Sequence, residues 1–177
     1  MDAVQKKEIP NAAIVGLICN KATAPVLELA KRNGVSAYLL PSKQFISGGK
    51  LDRDAYEGEL IPLIASLKPK WVLLAGYMLI LGPKVIQAFS GKIINIHPSL
   101  LPQFKGLKPL QQALDAKVSV VGCSVHLVTE ELDGGPVLEQ GTLPVLKSDT
   151  ESSLAARLLP LEHETYIRAL KKLCTQA

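Results

Sequence analysis

Ile94-Asn95-Ile96-His97-Pro98-Ser99-Leu100-Leu101-Pro102 decides how the chain is to be read. It continues the apolar start of a strand, Lys92 to Ile96, and ends in a loop stiffened by two prolines. Asn95 and His97 stand two residues apart on that strand, so both side chains emerge on one face. In open α/β sheets the carboxyl ends of the strands are where ligands bind. An amide N–H beside an imidazole suits the stabilisation of a negative oxygen forming on an attacked carbonyl, with the histidine as proton donor. A carboxylate is then needed to hold the histidine. Asp133, in the tight turn Leu132-Asp133-Gly134-Gly135-Pro136, is the candidate. Sequence separation alone does not bring the two together, and a satisfied histidine at a strand end remains the alternative.

Outward from this stretch, strands alternate with helices. On the N-terminal side, Ala12 to Cys19 reads as a buried strand closed by Asn20-Lys21. Thr23 is placed to cap a helix with Pro25 in its first turn, and Asn33-Gly34 ends that helix. Val35 to Leu40 is a second strand, and a Gly48-Gly49 loop leads to a helix from about Asp52. Tyr56, Leu60, Leu63, Ile64 and Leu67 share one face of that helix, and Pro62 is expected to bend it or lie near a weak spot in it. Trp71 to Ala75 is strand-like, and a short helix follows Pro83. On the C-terminal side, Leu110 to Ala116 is helical, and Val120 to Val128 and Val137 to Leu143 are strands. A last helix starts near Thr150, with Pro160 expected to kink it. The pattern predicts an α/β fold with a mostly parallel sheet flanked by helices, the two later strands forming an antiparallel edge. No linker or repeat divides residues 1–177, which read as a single domain.

Composition narrows the function classes. Apolar residues make up 47% of the chain and the formal charge is +4, a globular and mildly basic balance. The basic residues are scattered and not interleaved with aromatics, which favours a small anionic ligand and no nucleic acid. Cys19, Cys123 and Cys174 lie far apart and are expected as reduced thiols, with no metal site. No apolar run reaches the ~20 residues of a membrane span, so a cytoplasmic enzyme with no membrane contact is expected.

The segments AGYMLIL, INIHPSLLPQFKG and VTEELDGGPVLEQ resemble, in order and spacing, the signatures of the folate-dependent formyltransferases that act on glycinamide ribonucleotide. The resemblance covers essentially the whole chain, including Glu162-His163. It implies a Rossmann-like formyltransferase fold that moves a formyl group from 10-formyltetrahydrofolate to the primary amine of glycinamide ribonucleotide. It also implies Asn95, His97 and Asp133 as catalytic residues. Folate binding falls on Arg53, Met78, Leu79, Ile80, Leu81, Val128, Thr129, Glu130 and Glu131, and ribonucleotide binding on Gly76, Pro98 and Glu162. Without the resemblance, Met78, Ile80 and Leu81 read as ordinary core, Glu162 as a solvated helix charge and Arg53 as a helix-surface charge. A monomer or homodimer is expected.

Three departures stand out. The family opens with a strand and a glycine-rich phosphate loop, whereas Asp2 to Pro10 matches the back half of the helix that follows them. The usual first strand is therefore expected to be absent and the domain N-terminally incomplete, with Met1 an internal methionine as the leading explanation. Leu79 stands where many relatives carry an arginine, and Lys108 where a histidine is common. The alternatives are a formyltetrahydrofolate hydrolase-like enzyme, whose loop usually carries a second histidine in place of Pro98, and a truncated non-catalytic form of the fold.

Overall fold

The computed structural model describes residues 1–175 and has an α/β architecture made of two compact units. The first comprises Met1–Lys70 with Ile80–Ala88, and the second Trp71–Leu79 with Phe89 onward.

In the first unit, α1 (Asp2–Gln5) precedes β1 (Leu17–Cys19), α2 (Val26–Arg32) and β2 (Ala37–Leu39). β1 and β2 pair in parallel with Leu17 opposite Ala37. β1 is shorter than the apolar run that suggested it. Residues 12–16 carry no strand pairing and Val15 is half exposed, so hydrophobicity there did not translate into a ladder. Pro25, not Thr23, takes the N-cap position of α2, and no side chain bonds the first turn. β3 (Ile46–Ser47) and β4 (Lys50–Leu51) form a hairpin. Its two turn residues, Gly48 and Gly49, both have positive φ, as a primed two-residue turn requires. Asp52 caps α3 (Arg53–Ser66) by accepting the Ala55 N–H at 3.0 Å. Tyr56, Leu60 and Ile64 are buried on this helix. Val85 and Ile86 are buried on α4 (Pro83–Ala88).

The second unit carries a four-stranded sheet in the order β5 (Val72–Leu73), β6 (Ile93–His97), β7 (Val120–Leu127) and β8 (Val137–Pro144). β5 and β6 run parallel, while β7 and β8 are antiparallel to their neighbours, which is the antiparallel edge expected from the sequence. The short α5 (Pro109–Asp115) and the long α6 (Glu151–Thr175) complete it, α6 running through Pro160 as one helix. Leu154 and Leu158 of α6 pack with Val121, Cys123, Leu110 and Ala113, while Ala169 joins Ile94 and Val125. Tyr166 lies on the same helix. Its hydroxyl is shared between the carbonyls of Leu74 (3.1 Å) and Ile94 (3.0 Å), anchoring α6 to β6 and to the residue that follows β5. Burial pushes that phenol well above its ordinary value. Among the described residues no helix is long and apolar enough to cross a membrane.

Candidate active site

All of the catalytic candidates lie in the second unit. The β6–β7 register sets Asn95 opposite His126 and His97 opposite Ser124, so two polar pairs face each other across one ladder. His126 is fully buried, and its Nδ1 lies 2.9 Å from the Leu127 carbonyl. A carbonyl only accepts, so the proton sits on Nδ1 and Nε2 of the neutral ring is an acceptor. Asn95 Nδ2, 3.3 Å away, donates to it. Burial is the main force holding this imidazole below its ordinary range. The Leu127 bond and the Asp133 charge act the other way, and His97 reinforces the lowering. Although Asp133 Oδ1 lies 3.6 Å from His126 Nε2, an ion pair there would need a charged ring; desolvation and the Asn95 donor both favour the neutral one.

His97 is placed differently. Its Nε2 faces the Phe104 carbonyl at 2.9 Å and its Nδ1 faces Asp133 Oδ2 at 3.4 Å, with both side chains more than nine-tenths buried. Each ring nitrogen of His97 therefore faces an oxygen atom. Asp133 sits at φ 50°, in the left-handed region that Asp tolerates. Its Oδ2 also accepts the Gly106 N–H at 2.9 Å. The turn depends on Gly135, where an added Cβ would lie 1.9 Å from the Leu127 carbonyl oxygen. Asp133 thus reaches His97 directly, while Asn95 bonds His126.

The loop after β6 is held from β7 and β8. The buried Ser124 hydroxyl donates to the Ser99 carbonyl at 2.6 Å and accepts the Leu101 N–H at 2.9 Å. It also accepts the Gln140 amide at 2.8 Å, and that amide reaches the Leu101 carbonyl as well. Every hydrogen-bonding site of Ser124 is therefore filled, which fixes the chain just after His97 and Pro98. His126, Ser124 and Gln140 were not read from the sequence. Their signal is the cross-strand register, which appears only once β6, β7 and β8 are paired.

Glu162 is half-buried on α6. Desolvation raises its carboxyl above the usual range, opposed by the charges of His163 and His97. That coupling puts Glu162 in the electrostatic neighbourhood of His97, not out in solvent. The folate candidates divide between the units. In the first, Arg53 opens α3 and its side chain packs beside Gly82, next to Ile80 and Leu81. In the second, Val128 donates to the Ile93 carbonyl at 2.8 Å, Thr129 Oγ1 donates to the Glu131 carbonyl, and Glu131 pairs with Lys105 at 2.7 Å. Glu130 lies between them in the same exposed loop. Gly76 has positive φ and Leu79 is half-buried. Met78 and Ile80 are 78% and 58% exposed, so they are not the core residues that their composition alone suggested. Lys108 is exposed at the start of α5, with no side-chain cap bond. Among the described residues no cluster of three or more His, Cys, Asp or Glu is arranged to hold a metal.

A neutral amide and an imidazole beside a buried carboxylate form a site that can stabilise an oxyanion and move a proton. Comparison with known proteins identifies the family. Residues 1–170 match the family described as Formyl transferase. The chain is 40% identical over 166 residues to phosphoribosylglycinamide formyltransferase of Escherichia coli (strain K12), covering 94% of this chain and 76% of that protein. Among solved structures, glycinamide ribonucleotide transformylase 1 from Symbiobacterium toebii superposes with a TM-score of 0.90 at 36% identity, over 99% of this chain and 80% of that one. A formyltetrahydrofolate deformylase from Pseudomonas syringae superposes at 0.87 with 27% identity, but this chain covers only 56% of it. This chain belongs to the formyl transferase family.

Proposed function

We propose that the protein transfers the formyl group of 10-formyltetrahydrofolate to the primary amine of glycinamide ribonucleotide. The observation that carries this reading is the buried His97–Asp133 pair beside Asn95 at the carboxyl end of β6. The amine nitrogen attacks the formyl carbon and the carbonyl electrons move onto oxygen. The second Asn95 N–H, not used by His126, and the His97 imidazolium stabilise that oxyanion. Asp133 orients His97 and receives the amine proton. Collapse breaks the bond from carbon to N10 of the folate, and the proton held on Asp133 passes to N10. One formyl group and one hydrogen have then changed places, and no metal is needed to balance the step.

Arg53, Ile80, Leu81, Met78, Leu79 and the 128–131 loop are assigned to the folate. Gly76, Pro98 and Glu162 are assigned to the ribonucleotide. The exposure of Met78 and Ile80 supports this, since large apolar side chains left in water often mark ligand or partner surfaces. The likeness to a deformylase supplies the second reading, release of formate by water. Incubating the protein with donor, with and without glycinamide ribonucleotide, separates the two. Donor consumption that requires the ribonucleotide supports transfer; consumption at the same rate without it refutes transfer.

A further inference from the structure

Glu57 is the most buried carboxylate among the described residues, 2% exposed, and the catalytic chemistry above makes no use of it. It stands one turn after Arg53 on α3, so both side chains lie on one face of the helix. Both converge on Gly82. The Gly82 N–H donates to Glu57 Oε1 at 2.5 Å, a short bond to a carboxylate. A Cβ added at Gly82 would meet the two carboxylate oxygens at 2.8 and 2.9 Å and the Arg53 Cδ at 3.0 Å. The Gly82 carbonyl in turn accepts the Ile86 N–H at 3.2 Å, closing the first turn of α4. Both backbone groups of Gly82 are thus tied down, one to α3 and one to α4. The segment just before it, Ile80-Leu81, has its end fixed while Ile80 stays 58% exposed.

We infer that Glu57 is a positioning residue for folate: it clamps Gly82 so that Ile80-Leu81 and the Arg53 side chain present one preformed surface to the ligand. The inference rests on the assignment of Arg53, Ile80 and Leu81 to folate. A carboxylate suits the task because the isolated N–H at the head of α4 has no carbonyl partner in its own helix. Burial makes the bond expensive to lose, since an unpaired N–H would be left behind.

The test is calorimetric titration of the full chain with 10-formyl-5,8-dideazafolate, alongside amide exchange at Gly82. Glu57→Ala is expected to weaken binding by about tenfold or more and to unprotect the Gly82 amide. Glu57→Gln keeps an acceptor oxygen and is expected to stay within about threefold of wild type. Gly82→Ala, which pushes the segment off the carboxylate from the other side, is expected to reproduce the Glu57→Ala loss and serves if Glu57→Ala does not fold. Ribonucleotide affinity is expected to be unchanged in all three, which a general loss of structure would not allow. Wild-type binding with equal affinity in Glu57→Ala or Gly82→Ala overturns the positioning role alone. So does a Glu57→Gln loss as large as that of Glu57→Ala. Wild-type protein that does not bind the analogue overturns this role and the folate assignment together.

Discussion

Asp133→Asn removes one charge from the site while leaving its shape. Asn tolerates the left-handed backbone at this position as well as Asp does, and its oxygen can still accept the Gly106 N–H. What is lost is the attraction between the carboxylate and the His97 imidazolium. At the observed 3.4 Å, Coulomb's law with an effective dielectric near 20 puts that attraction at about 5 kcal/mol. The asparagine dipole recovers part of it, so a net loss of about 3 kcal/mol is the working figure. At about 1.4 kcal/mol per decade, the formyl-transfer rate should fall by roughly a hundredfold. The assay is steady-state transfer at saturating donor and ribonucleotide, with Tm measured on the same preparation. A variant within about threefold of wild type would show that Asp133 does not hold the charge on His97. A hundredfold loss with a large fall in Tm would place Asp133 in the fold and not in the chemistry.

Further outcomes follow from the same geometry. His97→Ala should lower kcat by about three orders of magnitude or more with the domain still folded, checked by rate and by circular dichroism. Gly135→Ala should destabilise severely, about 3 kcal/mol or more in urea unfolding, because the new methyl would collide with the Leu127 carbonyl oxygen. Burial depresses the His126 imidazole below its ordinary 6.5, so the unfolded chain binds a proton that the folded one refuses. Its contribution to stability is complete above about pH 6.5 and is lost as pH falls, by at most about 1.4 kcal/mol per pH unit. Urea unfolding at about pH 7.5 and 5.5 should show a steeper loss in wild type than in His126→Gln. Glu162 has the opposite sign, since its carboxyl is raised by burial and folding favours the protonated form. Stability should therefore fall as pH rises from 4.5 through the raised value, and Glu162→Gln should flatten that fall while weakening ribonucleotide binding.

The candidate trio was legible in the sequence because each member is marked locally. Asn95 and His97 share a strand face by the two-residue period, and Asp133 lies in a turn whose glycines announce it. The residues that hold them in place were not legible. His126 looks like any interior residue of an apolar strand until the register sets it against Asn95. Ser124 and Gln140 matter only because β8 pairs with β7 directly across from them. Pairing is non-local, and no window along the chain contains it. The same limit explains β1. Ala12 to Gly16 has the apolar composition of a strand, but a strand exists only where a neighbour supplies hydrogen bonds. Thr23 failed as a cap because Pro25 took the position ahead of the helix. Glu57 carried no special signal either, since a glutamate on a helix normally reads as solvated.

The central claim is that this site moves a formyl group onto an amine. Donor labelled with carbon-13 in the formyl group, mixed with glycinamide ribonucleotide and the protein, tests it directly by mass spectrometry. Label should appear in N-formylated ribonucleotide, with none formed by His97→Ala. Label recovered only as free formate, at a rate indifferent to the ribonucleotide, would contradict it.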